Sequence, residues 1–171
     1  NPTTQTPTSN TKPTWTWQPV EDAVEYEVFL DDIASGNQTG TSFTSLNELS
    51  EGYHEIKVTA KDAIGNWGMY GSHSVIIDGT SPDAPSPSTT TPTNNNTPTW
   101  SWADVDDAVV YEITLNNIIL LNQVDTTFTS SYLNQGTHEI KVRAKDSVGN
   151  FSEYGTHIVT INNDAPNIPS P

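Results

Sequence analysis

Six aspartates give this chain its clearest chance of binding a metal ion. Hard cations such as calcium prefer several carboxylate oxygens as ligands, and crowded carboxylates repel one another unless a cation lies among them. The alternative is an ordinary solvated acidic surface, and no Asp-x-Asp-x-Asp-Gly loop is present. The six candidates are Asp78, Asp83, Asp104, Asp106, Asp107 and Asp146.

The balance of charges limits the partners of the chain. Its 171 residues include 21 acidic and 6 basic side chains, a formal net charge of −15. Such a chain repels nucleic acid and anionic membranes, so we expect cations, neutral glycans or no ligand at all. There is no cysteine, which excludes disulfides and thiol chemistry. No apolar stretch approaches the roughly 20 residues that span a bilayer, and no membrane insertion is expected.

Exposed aromatic side chains would be the means of binding a neutral glycan. Four of the five tryptophans recur in pairs two residues apart, and we expect them in the core because the inner face of a strand needs large apolar groups. The fifth, Trp67, corresponds to Phe151, which favours an aromatic plug at a domain end over a sugar platform. The core pairs are Trp15/Trp17 and Trp100/Trp102, and the candidates for a glycan contact are Trp67, Phe29 and Tyr70.

The four histidines also form two pairs, His54 with His138 and His73 with His157. We expect His54 and His73 at opposite ends of a domain, where they cannot share a metal, and we expect imidazoles bonded to backbone carbonyls. Serine is abundant, so composition leaves a Ser-His-Asp site open, but no nucleophile elbow, oxyanion loop or paired-carboxylate cleft is recognisable. The sequence therefore predicts no catalytic residue, no enzymatic activity and no cofactor other than calcium.

An internal repeat positions all of these residues. Pro13-Thr-Trp-Thr-Trp17 recurs as Pro98-Thr-Trp-Ser-Trp102, and Gly52-Tyr-His-Glu-Ile-Lys-Val58 recurs as Gly136-Thr-His-Glu-Ile-Lys-Val142. A period of this length indicates two tandem domains rather than a solenoid of small units. The predicted domains are residues 1–82 and 83–163. Because Asp164-Ala-Pro166 repeats Asp83-Ala-Pro85, residues 164–171 are predicted to begin a third repeat or a linker.

Each copy shows the alternation of apolar and polar residues that is typical of half-buried strands. Tyr26, Val28 and Leu30 are expected to face inward, and Phe29 outward because Thr114 replaces it in the second copy. No segment has the period of a helix. Seven or so short strands with turn residues between them predict an all-β fold, with two tandem immunoglobulin-like antiparallel β-sandwiches.

The repeat resembles bacterial immunoglobulin-like and fibronectin type III-like repeats of large surface adhesins. The resemblance depends on Trp17 and Trp102 at the end of the second strand, and on the Gly-x-His phrases at Gly52 and Gly136. It also depends on Ala60-Lys-Asp-Ala-Ile-Gly-Asn66 and Ala144-Lys-Asp-Ser-Val-Gly-Asn150. The corner tyrosine of fibronectin type III domains is missing, and His54 and His138 stand close to its place.

The resemblance implies non-catalytic extender modules of a long bacterial surface or secreted protein, in which calcium stiffens the joints between domains. The six aspartates named above are expected at such a junction. For Asp146, as for Asp62, the alternative is a turn in which the carboxylate accepts backbone N–H groups. The expected partners are neighbouring repeats of the same chain, and the expected state is a monomer. The rival function is an accessory module of a polysaccharide-degrading enzyme that binds glycan weakly.

Overall fold

The computed structural model describes residues 1–165, so the predicted start of a third repeat lies outside the described residues from position 166 onward. The chain divides into two compact units, Asn1–Thr80 and the residues from Ser81 onward. Within the described range, no helix is long and apolar enough to cross a bilayer. The first unit contains β1 (Thr14–Thr16), β2 (Ala23–Leu30), β3 (Ile33–Gln38), β4 (Ser42–Thr44), β5 (Gly52–Asp62) and β6 (Gly71–Ile77).

The second unit repeats these elements in the same order. Its strands are β7 (Thr99–Ser101), β8 (Val110–Leu115), β9 (Ile118–Gln123), β10 (Thr127–Thr129), β11 (Gly136–Lys145) and β12 (Gly155–Ile161). In each unit two strands form a small antiparallel sheet, β1 with β4 and β7 with β10. The other four form a larger antiparallel sheet, in the order β3-β2-β5-β6 and β9-β8-β11-β12. The predicted all-β fold is confirmed.

The proline-rich segment at the start of each unit forms single bridges and no continuous strand. Thr3 pairs with Thr16 in the antiparallel sense and Thr8 with Ile77 in the parallel sense, and Ser88 and Thr93 repeat these contacts in the second unit. Proline has no N–H to donate to a ladder. Each described unit therefore has six strands where the sequence predicts about seven.

One hydrophobic core lies inside each unit, and corresponding positions build both cores. The predicted core tryptophans are buried, with Trp15 and Trp100 fully so, and they stack on Phe43 and Phe128 at 6.2 Å between ring centroids. Around them pack the inward residues of the larger sheet. In the first unit these are Tyr26, Val28, Ile56, Val58, Val75 and Ile77, and in the second Tyr111, Ile113, Ile140, Val142, Val159 and Ile161.

The prediction that His54 and His73 lie at opposite ends of a unit is wrong. β5 is long, and β6 pairs only with its first seven residues, so that His54 lies opposite Val75 and His73 opposite Ile56. The two histidines are diagonal neighbours on the inner face of the sheet. The second unit repeats this register with His138 and His157.

Candidate functional site

A carboxylate, an imidazole and a hydroxyl come together in the first unit, at the turn between β2 and β3. Asp31 and Asp32 form this turn with φ angles of 51° and 63°, the left-handed conformation that tight two-residue hairpins require. The Asp31 carboxylate accepts the backbone N–H of Glu55 at 2.9 Å and lies 2.7 Å from Nδ1 of His54. Ser50 lies on the other side of the imidazole, its Oγ 3.5 Å from Nε2.

These three residues are of the types found in a Ser-His-Asp catalytic triad, but their hydrogen bonds differ from those of a working triad. Nε2 of His54 lies 2.8 Å from the backbone carbonyl of Ser50, closer than the Ser50 hydroxyl. A carbonyl can only accept, so Nε2 carries a proton and is not free to act as a base toward the serine. With Nδ1 donating to Asp31, both ring nitrogens are donors. The site is suited to holding a charged imidazolium and not to activating a nucleophile.

The electrostatics of His54 agree with this geometry. Burial of the ring lowers its pKa, but the hydrogen bonds to Asp31 and to the Ser50 carbonyl outweigh burial and leave the pKa above its usual value. The side chain of His54 is 10% exposed and that of Asp31 42% exposed. The expected bond to a backbone carbonyl is confirmed for His54, whose aspartate partner is an addition to that expectation. It is not confirmed for Nε2 of His73 and of His157, which is buried without a hydrogen-bond partner among the described residues.

The second unit contains a neutral version of the same site. Asn116 and Asn117 replace the two aspartates and keep their φ angles, at 51° and 64°. The side-chain oxygen of Asn116 accepts the N–H of Glu139 at 3.1 Å, so its amide nitrogen faces Nδ1 of His138 at 3.0 Å. Nδ1 therefore accepts, and Nε2 donates to the carbonyl of Asn134 at 2.9 Å. The ring has the hydrogen bonds of a neutral imidazole.

The outer face of the larger sheet carries the predicted glycan-contact residues of the first unit. Phe29 and Tyr70 meet edge to face, with ring centroids 5.7 Å apart. Trp67 is 42% exposed and lies along β5, with the ammonium of Lys61 at 5.2 Å from its ring centroid. Lys61 also bonds Glu25 at 3.2 Å. Phe29 points outward as predicted, and Trp67 is a half-exposed side chain on the sheet face.

The matching face of the second unit is occupied by an ion pair. The Arg143 guanidinium bonds both oxygens of Glu112, at 2.9 and 3.2 Å, and lies 3.9 Å from the ring centroid of Phe151. Tyr154 donates to the same carboxylate at 2.7 Å. The hydrogen bond from Arg143 lowers the pKa of Glu112 and outweighs the effect of burial. This cluster stabilises the sheet, and its rings, Phe151 and Tyr154, are 36% and 37% exposed.

The structure gives Asp146 a defined role inside its own unit. It is buried, and its Oδ1 accepts the backbone N–H groups of Val148, Gly149 and Asn150 at 2.7–3.0 Å while Oδ2 accepts the side-chain amide of Asn150. Burial raises the pKa of this carboxyl, but these hydrogen bonds lower the pKa by more than burial raises it. The net pKa therefore lies below its usual value. The turn alternative named for Asp146 therefore agrees with the observed contacts.

The other five calcium candidates are distributed over loops of both units. Asp78 follows β6 in the first unit and accepts the backbone N–H of Thr80 at 3.2 Å, whereas the other four belong to the second unit. Asp104 accepts a hydrogen bond from the Tyr111 hydroxyl at 3.3 Å. No group of three or more His, Asp or Glu side chains suited to a metal ion occurs in the described range. The remaining candidates are Asp83, which precedes the first bridge of its unit, and the loop residues Asp106 and Asp107.

The comparisons with known proteins are consistent with this geometry. No protein-family model and no curated protein matches the chain. Among solved structures, the fibronectin(III)-like modules of Clostridium thermocellum CbhA are similar with a TM-score of 0.54 and 13% identity, over 99% of this chain and 100% of theirs. The FN1–FN3 domains of chicken CNTN1 are similar with a TM-score of 0.53 and 15% identity, over 95% of this chain and 66% of theirs. At such identities the likeness establishes the fold alone, and that fold is a tandem of fibronectin type III-like β-sandwiches.

Proposed function

We propose that the two units are non-catalytic extender modules of a longer repeat-containing bacterial surface or secreted protein of the adhesin type. One observation supports this most strongly. Three of the side chains best suited to chemistry are engaged in hydrogen bonds within their own unit: His54 with Asp31, Glu112 with Arg143, and Asp146 with its own turn. A module that uses such groups to support its own fold is suited to carrying load and spacing other domains.

A mechanical role can be tested by single-molecule force spectroscopy on the two-unit chain. We expect two separate unfolding events, one for each unit. About 80 residues at 3.3–3.6 Å each give roughly 26–29 nm of extended chain per unit, and the released length is this value less the length of the folded unit. A chain that stretches without resistance, or a unit that is already unfolded at low force, would contradict the extender role. The neighbouring gene sequence adds a second test, because many further repeats favour an extender and an adjacent catalytic domain favours an enzyme accessory.

Calcium at the domain junction remains a prediction and needs its own experiment. Calorimetric unfolding with calcium and with excess chelator should give a higher melting temperature with calcium if the ion binds. The Asp83→Ala and Asp104→Ala variants should then lose this difference, whereas Asp62→Ala, a turn residue outside the six, should keep it. An unchanged melting temperature together with no heat of calcium binding would remove calcium from the proposal.

The alternative function, weak glycan binding by an enzyme accessory module, is supported by one observation. Tyr70 is 58% exposed and lies against Phe29, and exposed aromatic faces are surfaces on which sugars stack. Retention on insoluble polysaccharides should then fall in Trp67→Ala and Tyr70→Ala and remain unchanged in Phe151→Ala, the matched variant of the second unit. Equal retention of all four proteins would exclude this alternative.

A further inference from the structure

The strand β9 is an unusually apolar sheet edge. It lies at the end of the four-stranded order β9-β8-β11-β12, so among residues 1–165 no strand pairs with one side of its backbone. Its first four residues expose much of their side chains to solvent. They are Ile118 at 64%, Ile119 at 63%, Leu120 at 43% and Leu121 at 39%.

The first unit shows that the fold does not require these apolar side chains. The corresponding edge strand β3 has the same length as β9. It pairs with β2 as β9 pairs with β8, with a register shift at the equivalent place, but its first four residues are Ile33-Ala-Ser-Gly36. Gly36 has a φ of 108°, a conformation that L side chains rarely adopt, whereas Leu121 at the equivalent position is not among the residues with positive φ. Ile119, Leu120 and Leu121 stand where the first unit has alanine, serine and glycine. These three large apolar side chains are therefore specific to β9.

The usual devices that keep sheet edges apart are largely missing from β9. Native edges are protected by charged residues, proline or bulges. Residues 116–124 contain no charged residue, no proline and no glycine. The register shift between Ile113 and Thr114 leaves one bulge, at Leu120. An exposed edge of this kind presents free backbone donors and acceptors together with apolar surface to another strand.

We propose that β9 pairs in the antiparallel sense with β9 of a second copy of this chain, joining two four-stranded sheets into one continuous sheet. A twofold pairing of this kind brings the same surface to both sides, and the uncharged run of residues 116–124 adds no local repulsion. Asp125 follows one end of the strand. At the other end the Lys141 ammonium lies 2.9 Å from Asn117 and 3.3 Å from the Glu139 carboxylate. Antiparallel pairing therefore brings Asp125 of one copy toward an ion pair that includes an ammonium, and not toward an unpaired carboxylate of the other copy.

The net charge of −15 gives this pairing a recognisable signature. Two copies with the same large charge repel each other over long distances, and salt screens this repulsion. Pairing through β9 should therefore strengthen as ionic strength rises. The expectation of a monomer, drawn from the sequence, makes the opposite prediction, and one experiment decides between them.

The test is sedimentation velocity of the whole chain over a concentration series at low and high salt. Wild type should convert from monomer to dimer as concentration rises, more readily at high salt. The double variant Ile118→Lys/Leu120→Lys should weaken the dimer by at least about tenfold because it places charges on the paired edge. The matched control, Ile33→Lys/Ser35→Lys in β3, should dimerise like wild type.

Three results would overturn the proposal. They are a wild type that stays monomeric up to millimolar concentration at high salt, a dimer that survives the β9 substitutions, and a dimer that is lost in the β3 control. Circular dichroism of both double variants verifies that they are folded, and the concentration dependence of wild type decides the matter without them.

Discussion

The two copies place the same histidine in the same hydrogen-bonded position, with an aspartate pair around it in one unit and an asparagine pair in the other. The turn conformation, the bond to the backbone N–H and the bond to the imidazole survive the exchange. The fold therefore needs an oxygen acceptor with left-handed backbone at this turn, and it does not need a charge. The second unit keeps its fold without a charge at this turn. The site is therefore structural, and the first unit differs in placing a carboxylate beside the imidazole.

The largest expected effect tests whether the two cores are equivalent. Trp15→Ala and Trp100→Ala should each lower the free energy of unfolding of their own unit by about 3–5 kcal/mol, because a fully buried large side chain leaves a cavity. Differential scanning calorimetry of the two-unit chain can follow both units. Trp67→Ala, which removes a half-exposed ring, should cost much less. Unequal losses for Trp15 and Trp100 would break the equivalence of the two copies.

A smaller loss of stability is expected when the ion pair on the outer face of either larger sheet is removed, and the loss should differ between the two units. Arg143→Ala leaves Glu112 buried at 9% exposure, with the Tyr154 hydroxyl as the remaining hydrogen-bond partner of its carboxylate among the described residues, and should destabilise the second unit by about 2 kcal/mol. The counterpart in the first unit is Lys61→Ala, which leaves the more exposed Glu25 with its hydrogen bond to Asn37 and should have a weaker effect. Urea unfolding of both variants measures this difference, and equal losses would show that the two ion pairs are interchangeable.

The smallest effect is the pH dependence of the histidine site. Because the pKa of folded His54 is raised, its contribution is fully present below the unfolded pKa of about 6.5 and is lost as pH rises through the folded pKa. Asp31→Asn should therefore destabilise the first unit by about 1 kcal/mol at acidic to neutral pH and by little at pH about 9. An NMR titration of His54 should also show a lower pKa in this variant.

The reciprocal variant, Asn116→Asp, should give the second unit the pH dependence of the first. Its stability relative to wild type should be greatest below about pH 6.5 and should decline at higher pH. If Asp31→Asn leaves the pH profile of the first unit unchanged while Asn116→Asp alters that of the second, the Asp31 charge would not be the cause of the pH dependence of the first unit.

Periodicity predicted the parts of this molecule that depend on one strand at a time. The alternation around Tyr26 and Val28 and the paired tryptophans identified the core because burial alternates strictly along a strand. The register between strands was not accessible in this way, since the length of β5 beyond its contact with β6 left no local signal. For that reason the sequence pattern predicts the wrong end of the unit for His73.

The partner of His54 was missed because Asp31 lies 23 residues earlier in the chain. A signal was nevertheless present. The exchange of Asp31-Asp32 for Asn116-Asn117 at the same turn is a coordinated change of two acidic residues, and both residue types tolerate the positive φ that the turn requires. The paired substitution between the copies therefore marks this turn as a variable part of the scaffold.

The different exposure of the tryptophans also allows the opening of each core to be followed by tryptophan fluorescence. Trp15 and Trp100 are inaccessible to solvent, whereas Trp67 is 42% exposed and has only a phenylalanine as its counterpart. A collisional quencher should therefore reach the fluorescence of the first unit through Trp67 long before it reaches either core. Replacing Trp67 by phenylalanine would leave only buried emitters, so that any later gain in quenching would report the opening of a core.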